Sequence, residues 1–338
     1  MDDKRWKAKT SQSDKINLNA AALELVEKLI ADPGKYRVSV EQESCGATLI
    51  DSSTQARGGF LAGEIVSRIC MGGCASVQIL PMQYEGTVLP SAFVHTDYPV
   101  QSTLASQYSD WKITIGSFSA FASGPARALA HESPELFKKI GYKEKLDKAV
   151  LALETETRPT EEIIDYIAKK CNIEPSNLYL LMYSTKNLVG ATQISSGAIS
   201  AGMFKLLSLG FDPWLVQHAW GYAPILPLHQ SYEAKTVEAT DAITYGGTAC
   251  YQVDFEDDQK LANITMRMPA SAAKMFREAN KLAEKNPELI NILNLSVNNS
   301  SENKVSPAVV KMHNLKTGKN FRAGNLDIPV LKELFKIV

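Results

Sequence analysis

No stretch of the 338-residue chain runs to about 18 apolar residues, which excludes a membrane-spanning helix. Neither sign of charge is in excess: 36 basic against 37 acidic residues leave a net charge of −1, so no nucleic-acid or membrane-surface binder is indicated. The cysteines are five, an odd number, and scattered (Cys45, Cys70, Cys74, Cys171, Cys250), which argues against a disulfide framework. Cys70 and Cys74 share a helix face, but no second pair or nearby histidine completes a tetrahedral metal site. A Gly-x-Ser-x-Gly elbow, a Walker loop and a three-glycine dinucleotide fingerprint are all missing, and His95, His131, His218, His229 and His313 show no metal-ligand spacing. The N-terminal MDDKRWKAKTSQSDK is charged where a signal peptide needs an apolar stretch. These absences predict a soluble, cytoplasmic protein without metal.

What is present is ordinary for a folded protein of one or two α/β domains, with 45% hydrophobic and 22% charged residues. Residues 1–15 read as a tail. From residue 19, AALELVEKLI has helical spacing; RVSV and ATLID read as strands, GGFLAGEIVSRICMGG as a helix between paired glycines, and SVQILPMQY and SAFVHT as strands. PVQSTLASQY reads as a short helix and KITIGSFSAF as one strand. LALETETRPTEEIIDYIAKKCNI marks a boundary, because charge rises, Arg158-Pro159 breaks the chain and Thr160 can cap a helix carrying Glu161 and Glu162 in its first turn. The expected units are therefore 16–157 and 158–338, the C-terminal segment packing back on the first. In the second unit, NLYLLMYST and DAITYGGTACYQVDF read as strands and SAAKMFREANKLAEKN as a helix. The alternation predicts an α/β (α+β) class.

Three glycine-rich places invite a ligand or a tight turn. The run RGGFLAG (57–63) opens a helix whose free N–H groups can hold an anion, or whose glycines only allow close packing. In SGPARALA (123–130), Ser123 or Gly124 can cap and Arg127 sits in the first turn, against the helix dipole; it calls for an anionic ligand or for a carboxylate of the chain itself. Tyr245-Gly246-Gly247 before a strand lets a flat ligand approach the backbone, or forms a bulge. QISSGAISAGMFKLLSLGFD (193–212) reads as a helix stopped at Gly210, and from 187 to 204 no acid, base or histidine occurs.

In order along nearly the whole chain, CGATLIDSSTQARGGFLAGEIVSRICMGG, SQYSDW, SGPARALA, the helix before LGFD, APILPL, TDAITYGG and SPAVVKMHNLKTG resemble the methenyltetrahydromethanopterin cyclohydrolase family. The resemblance implies two α/β domains around a deep pocket, a homotrimer, no metal or redox cofactor, and hydrolysis of a cyclic amidinium in one-carbon metabolism. In that family a carboxylate orients and deprotonates water beside a guanidinium, carried as Gln-Ile-x-x-Arg-x-x-Glu. This chain reads Gln193-Ile194-Ser195-Ser196-Gly197-Ala198-Ile199-Ser200, so Gly197 and Ser200 stand where the family has Arg and Glu. The family's paired aspartates appear as Gln230-Ser231, and of its Gly-Arg-Thr-Asn-Asp run only Asp241 matches. The resemblance places substrate binding at Ser123, Gly124, Arg127, Thr185, Gln193, Gly197, Ser200, Tyr245, Gly246 and Gly247, with His229, Glu233, Glu238 and Asp241 as acid/base groups. The expected function is a divergent enzyme taking another small polar or heterocyclic, pterin-like substrate by C–N hydrolysis, cyclisation or dehydration. The alternatives are the family reaction with its carboxylate moved to Glu238 or Glu85, and a non-catalytic ligand-binding or assembly protein on the same scaffold.

Overall fold

The structure, a computed structural model, describes residues 16–52, 54–227, 240–272 and 305–337. In chain order its elements are α1 (Leu18–Ala31), α2 (Pro33–Tyr36), β1 (Ser39–Gln42), β2 (Thr48–Asp51), α3 (Phe60–Cys70), β3 (Ser76–Tyr84), β4 (Thr87–Thr96), a π-helix (Val100–Gln107), β5 (Trp111–Ile115), β6 (Phe118–Ser123), α4 (Ala126–Ala130), α5 (Pro134–Ile140), β7 (Ala149–Glu154) and α6 (Glu161–Cys171). Then follow β8 (Leu178–Tyr183), α7 (Leu188–Ser196), α8 (Ala198–Ser208), β9 (Val216–Pro224), α9 (Asp241–Gly246), β10 (Thr248–Val253), α10 (Asp258–Met266), β11 (Val309–Asn314), β12 (Asn320–Gly324) and α11 (Ile328–Leu334).

The strands form two six-stranded sheets, ordered β1-β2-β8-β7-β6-β5 and β12-β11-β10-β9-β4-β3. The result is the mixed α+β architecture expected of two α/β units. In the first sheet β2, β8 and β7 run parallel, and β1, β6 and β5 antiparallel. Parallel neighbours need a crossover, and α6 supplies the one between β7 and β8. The charge-rich segment read as a boundary at 157/158 is the exposed entry to that crossover. The cut does not separate the sheets, because β8 lies between β2 and β7, while β3 and β4 join the second sheet. Strand β7 is an unbroken apolar run because both faces are covered. Val150 and Ala152 pack with α1 and α3, Leu151 and Leu153 with Ile163, Ile164 and Ile167 of α6.

Several elements differ from their sequence reading. Residues 111–123 form a hairpin, β5 and β6, turned at Gly116 with φ 57°. The stretch read as a strand from 241 begins as helix α9, with Gly247 ending it and β10 following. Thr160 takes the cap position of α6, but its hydroxyl makes no capping bond. Of the helix expected over 271–286, all beyond 272 lies outside the described residues. Residues 100–107 are a π-helix, closed by Tyr108 N donating to Thr103 O at 2.9 Å, five residues back.

The glycines of 57–63 serve packing. A Cβ on Gly58 would stand 2.3 Å from Ser52 O, and one on Gly63 2.8 Å from the Thr192 side chain of α7. Two residues earlier in α7, a Cβ on Gly190 would lie 2.2 Å from Ser184 O. Gly190→Ala therefore has to push α7 off the end of β8. It is expected to lower stability by about 1–3 kcal/mol, read as the shift in a urea unfolding midpoint. An unchanged midpoint would mean that α7 does not seat as tightly as this contact requires.

Candidate active site

The helix that opens the question of function is two helices. α7 ends at Ser196 and α8 begins at Ala198; Gly197 between them has φ −75° and ψ 1°, its N–H bonding Ile194 O at 2.8 Å. Gly197 and Ser200 thus sit at a junction, and Ile243 of α9 lies 3.6 Å from where a Gly197 Cβ would be. Gly210, with φ 78°, ends the segment as expected.

Opposite the junction stands the end of the π-helix. Ser200 Oγ donates to Gln107 Oε1, Gln107 Nε2 donates to Ser196 Oγ at 3.0 Å, and Ser196 Oγ donates to Gln193 O at 2.6 Å. Ser196, Ser200 and Gln107 are all buried. One turn further along α8, Phe204 stacks on Tyr108, with ring centroids 4.3 Å apart and planes 7° from parallel. The positions that match the family's Arg and Glu are therefore neutral, and Ser200 is occupied by a partner on another element.

Arg127 is the anchor of that π-helix. It is fully buried; its guanidinium pairs with Asp110 and donates to Leu104 O at 3.2 Å and Ser106 O at 3.3 Å. Ser133 also donates to Asp110. The anion that Arg127 meets is thus the chain's own carboxylate. Gly124, at φ 111°, brings its N–H to Ser106 O at 2.9 Å. Together these groups satisfy the carbonyls that a helix end leaves open.

Ser123 and Gln193 behave differently. Ser123 Oγ is buried with the Tyr183 hydroxyl beside it, and the Gln193 side chain, in a residue only 6% exposed, lies against the Cys70 thiol. Between them, on the same face of the first sheet, lie two groups that sequence reasoning missed. One is Tyr183, buried beside Ser123, its hydroxyl held well above its ordinary range by burial, then by Cys70 and Glu154. The other is Glu154, the last residue of β7, with its partner Tyr183 opposite on β8. The Glu154 carboxyl makes no hydrogen bond or ion pair among the described residues, and burial alone raises it above the usual carboxylate range. Glu156, two residues on, bonds Lys186 at 2.9 Å and Ser184 at 3.1 Å. Cys70 of α3 closes the group: burial pushes its thiol up to about 12, the Gln193 side chain beside it pulling the other way. A seryl hydroxyl, a phenol, a thiol, a carboxamide and a carboxylate thus gather near the carboxyl ends of the parallel strands β7 and β8, where α/β sheets bind ligands.

The other expected residues are spread more widely. Thr185 lies in the turn between β8 and α7, half-buried. Tyr245, Gly246 and Gly247 form the end of α9 rather than a bulge: a Cβ on Gly246 would meet Pro224 and Leu331, and Tyr245 packs with the cluster around Leu331 of α11. Asp241 opens α9, where a carboxylate suits the helix dipole. His229, Glu233 and Glu238, like Gln230 and Ser231, lie outside the described residues. Glu85 is exposed at the tip of the β3–β4 hairpin. Among the described residues no group of three or more His, Cys, Asp or Glu side chains could hold a metal ion, and no helix is long and apolar enough to cross a membrane.

Two mixed six-stranded sheets with helices packed on them, and polar side chains gathered at the ends of parallel strands, define an α+β protein. The family model described as Cyclohydrolase (MCH) matches residues 17–335. Methenyltetrahydromethanopterin cyclohydrolase of Methanobrevibacter smithii is 34% identical over 330 residues, covering 95% of this chain and 99% of that protein. The enzymes of that name from Methanocaldococcus jannaschii and Methanothermobacter marburgensis are each 34% identical, covering 94% and 95% of this chain and 98% and 99% of theirs. The chain belongs to the cyclohydrolase (MCH) family.

Proposed function

We propose that this chain is a divergent enzyme of the family, acting on a small polar or heterocyclic substrate other than the methenyl pterin named for its relatives, by C–N hydrolysis, cyclisation or dehydration. The observation that carries this reading is the neutral junction: Gly197 offers backbone alone, and Ser200 is spent on Gln107. A hydroxyl is a poor base at neutral pH, and loss of a positioned acid/base group typically costs 10²–10⁴-fold. On this reading the protein works in the cytoplasm as a homotrimer, without metal or redox cofactor.

One observation favours a second reading, in which the family reaction is kept and its carboxylate has moved. Glu154 is a desolvated carboxyl without a partner, the environment that tunes a group toward proton transfer at neutral pH. The two readings part on one measurement. Purified protein is mixed with methenyltetrahydromethanopterin and loss of amidinium absorbance is followed against buffer. A divergent substrate predicts a rate no more than a few-fold above buffer. Turnover at the rate of the named relatives would overturn it in favour of the relocated carboxylate.

A further inference from the structure

The inner face of the second sheet is spent on the core, through Ala219, Ala249, Tyr251, Val310 and Met312. At one end of its outer face α11 covers Tyr84, Leu89 and Tyr222. Beyond them the outer face carries two kinds of group, held apart by the strand order β12-β11-β10-β9-β4-β3. On the β4 and β9 side stand Phe93 and Trp220, both half-buried, with ring centroids 6.2 Å apart, then exposed His95 in register with Trp220, and Asp97 just past β4. Asp97 meets His218 Nδ1 at 2.8 Å and is otherwise open to solvent, its side chain 75% exposed. On the β11 and β12 side Lys311 and Arg322 stand next to each other in register, both exposed. Lys311 is in register with Cys250, and Cys250 with Trp220, which places the cations on the same face as the rings. Among the described residues neither cation meets a carboxylate or an aromatic ring of the chain; Arg322 reaches only Asn325, at 3.5 Å. An antiparallel sheet can leave one face to water, but part-exposed aromatic rings gathered on that face mark an interaction surface.

We propose that this face is where copies of the chain meet, the ring-and-carboxylate side of one copy seated on the cationic side of the next. The complementarity cannot be satisfied within one chain, because β4 and β11 lie three strands apart, about 14 Å across the sheet. A second copy laid against the face brings the two sides together. One of Lys311 and Arg322 then pairs with Asp97, and the other lies on the Phe93 or Trp220 ring, whose face attracts a cation. The arrangement has the anatomy of an interface, with aromatic residues at the centre and charges at the rim. Since each face holds one side of each kind, the contact runs head to tail, and one copy can give its two sides to two neighbours and close a ring. A polyanion would find two fixed cations here with Asp97 opposing it, whereas a second copy answers both signs. The proposal rests on the homotrimer of the reading above for the number of copies alone.

The test is the mass of the assembly, by size-exclusion chromatography with light scattering over a dilution series. It takes the full chain, Asp97→Lys, the double variant Lys311→Glu with Arg322→Glu, the triple variant that joins all three, and Trp220→Ala. The native chain should assemble, and each charge reversal should weaken association about 10–100-fold. The triple variant should regain most of that loss, because its charges again oppose; a role of Asp97 confined to holding His218 gives no such rescue. All three charged positions are exposed, so thermal unfolding of these variants should stay near that of the native chain. Trp220→Ala leaves every charge in place and should also weaken association, so it decides the matter should a charge variant fail to fold. A native chain that stays monomeric at every concentration, an assembly whose mass ignores both reversals and Trp220→Ala, or a triple variant no better than its parents overturns the proposal. Failure of the trimer is distinguishable from failure of the face. Dimers dispersed by the same reversals keep the face and remove the trimer, whereas a trimer indifferent to them does the reverse.

Discussion

Asp110→Ala is expected to lower the stability of the protein by about 3–5 kcal/mol, because it leaves the Arg127 guanidinium buried without its counter-charge. Arg127 is fully inaccessible, and its remaining hydrogen-bond partners are the Leu104 and Ser106 carbonyls, with the Phe137 ring 5.8 Å from its guanidinium; none of these carries a net charge. Burial already disfavours its charged form, and the neighbouring Asp110 is the main group opposing that effect. Urea unfolding of the single variant, and of Asp110→Ala combined with Arg127→Met, separates the pair from a general packing defect. The double variant should recover most of the loss, since an apolar side chain of similar length needs no partner. A single-variant loss below about 1 kcal/mol would show that water reaches the guanidinium and that the pair is a surface pair in effect. The consequence reaches the site through the π-helix. Gln107 and Tyr108 follow directly on the carbonyls that Arg127 holds, so loosening Arg127 frees the partners of both Ser200 and Phe204.

How much of this was legible in the sequence depended on whether a signal is local. Helix α3 was readable because its paired glycines and its apolar spacing lie within one segment; the structure shows both glycine pairs at positive φ. The family was readable because its motifs recur in order along nearly the whole chain. The interleaving of the sheets was not, because the register of β8 between β2 and β7 is a long-range pairing that no periodicity records. The break at Gly197 was hidden because Ser, Gly and Ala on either side fit a helix interior equally well. Arg127 was open between two anions, and its partner lies seventeen residues away on a loop between the π-helix and β5. Glu154 was overlooked for a different reason. In the charged stretch ETETR it looks like the solvated end of a strand, and β7 is apolar on both faces, so its alternation gives no hint of which side Glu154 takes. Only the pairing with Phe121 and Tyr183 shows that it turns under α3 and α7 while Glu156 turns to Lys186.

Restoring the family's pair, Gly197→Arg with Ser200→Glu, is expected to give a folded protein with cyclohydrolase activity at least about 10²-fold below that of a full family member. The backbone at Gly197 admits an L side chain, since φ −75° and ψ 1° lie in an allowed region. It is not helical, however, so the propensity gain of replacing a glycine inside a helix does not arise. A Cβ there would stand 2.9 Å from Ile194 O, tight enough that the junction must yield. Ser200 is the third residue of α8, where a glutamate is favoured by the helix dipole and an Arg at the cap is not. The new carboxylate would also displace the Ser200 to Gln107 bond in a site 4% exposed, and would have to take Gln107 Nε2 from Ser196 to be satisfied. These terms sum to a loss of about 1–3 kcal/mol, read from thermal unfolding, with the fold intact. Activity is the sharper readout. The restored pair lies beside Gln107 and Ile243, and the sequence still departs from the family pattern elsewhere, at Gln230 and Ser231 among other positions. Amidinium hydrolysis near the rate of the relatives would mean that the site had kept its fit to the methenyl pterin and lost only the pair that hydrolyses it. The reading of a changed substrate would then be wrong.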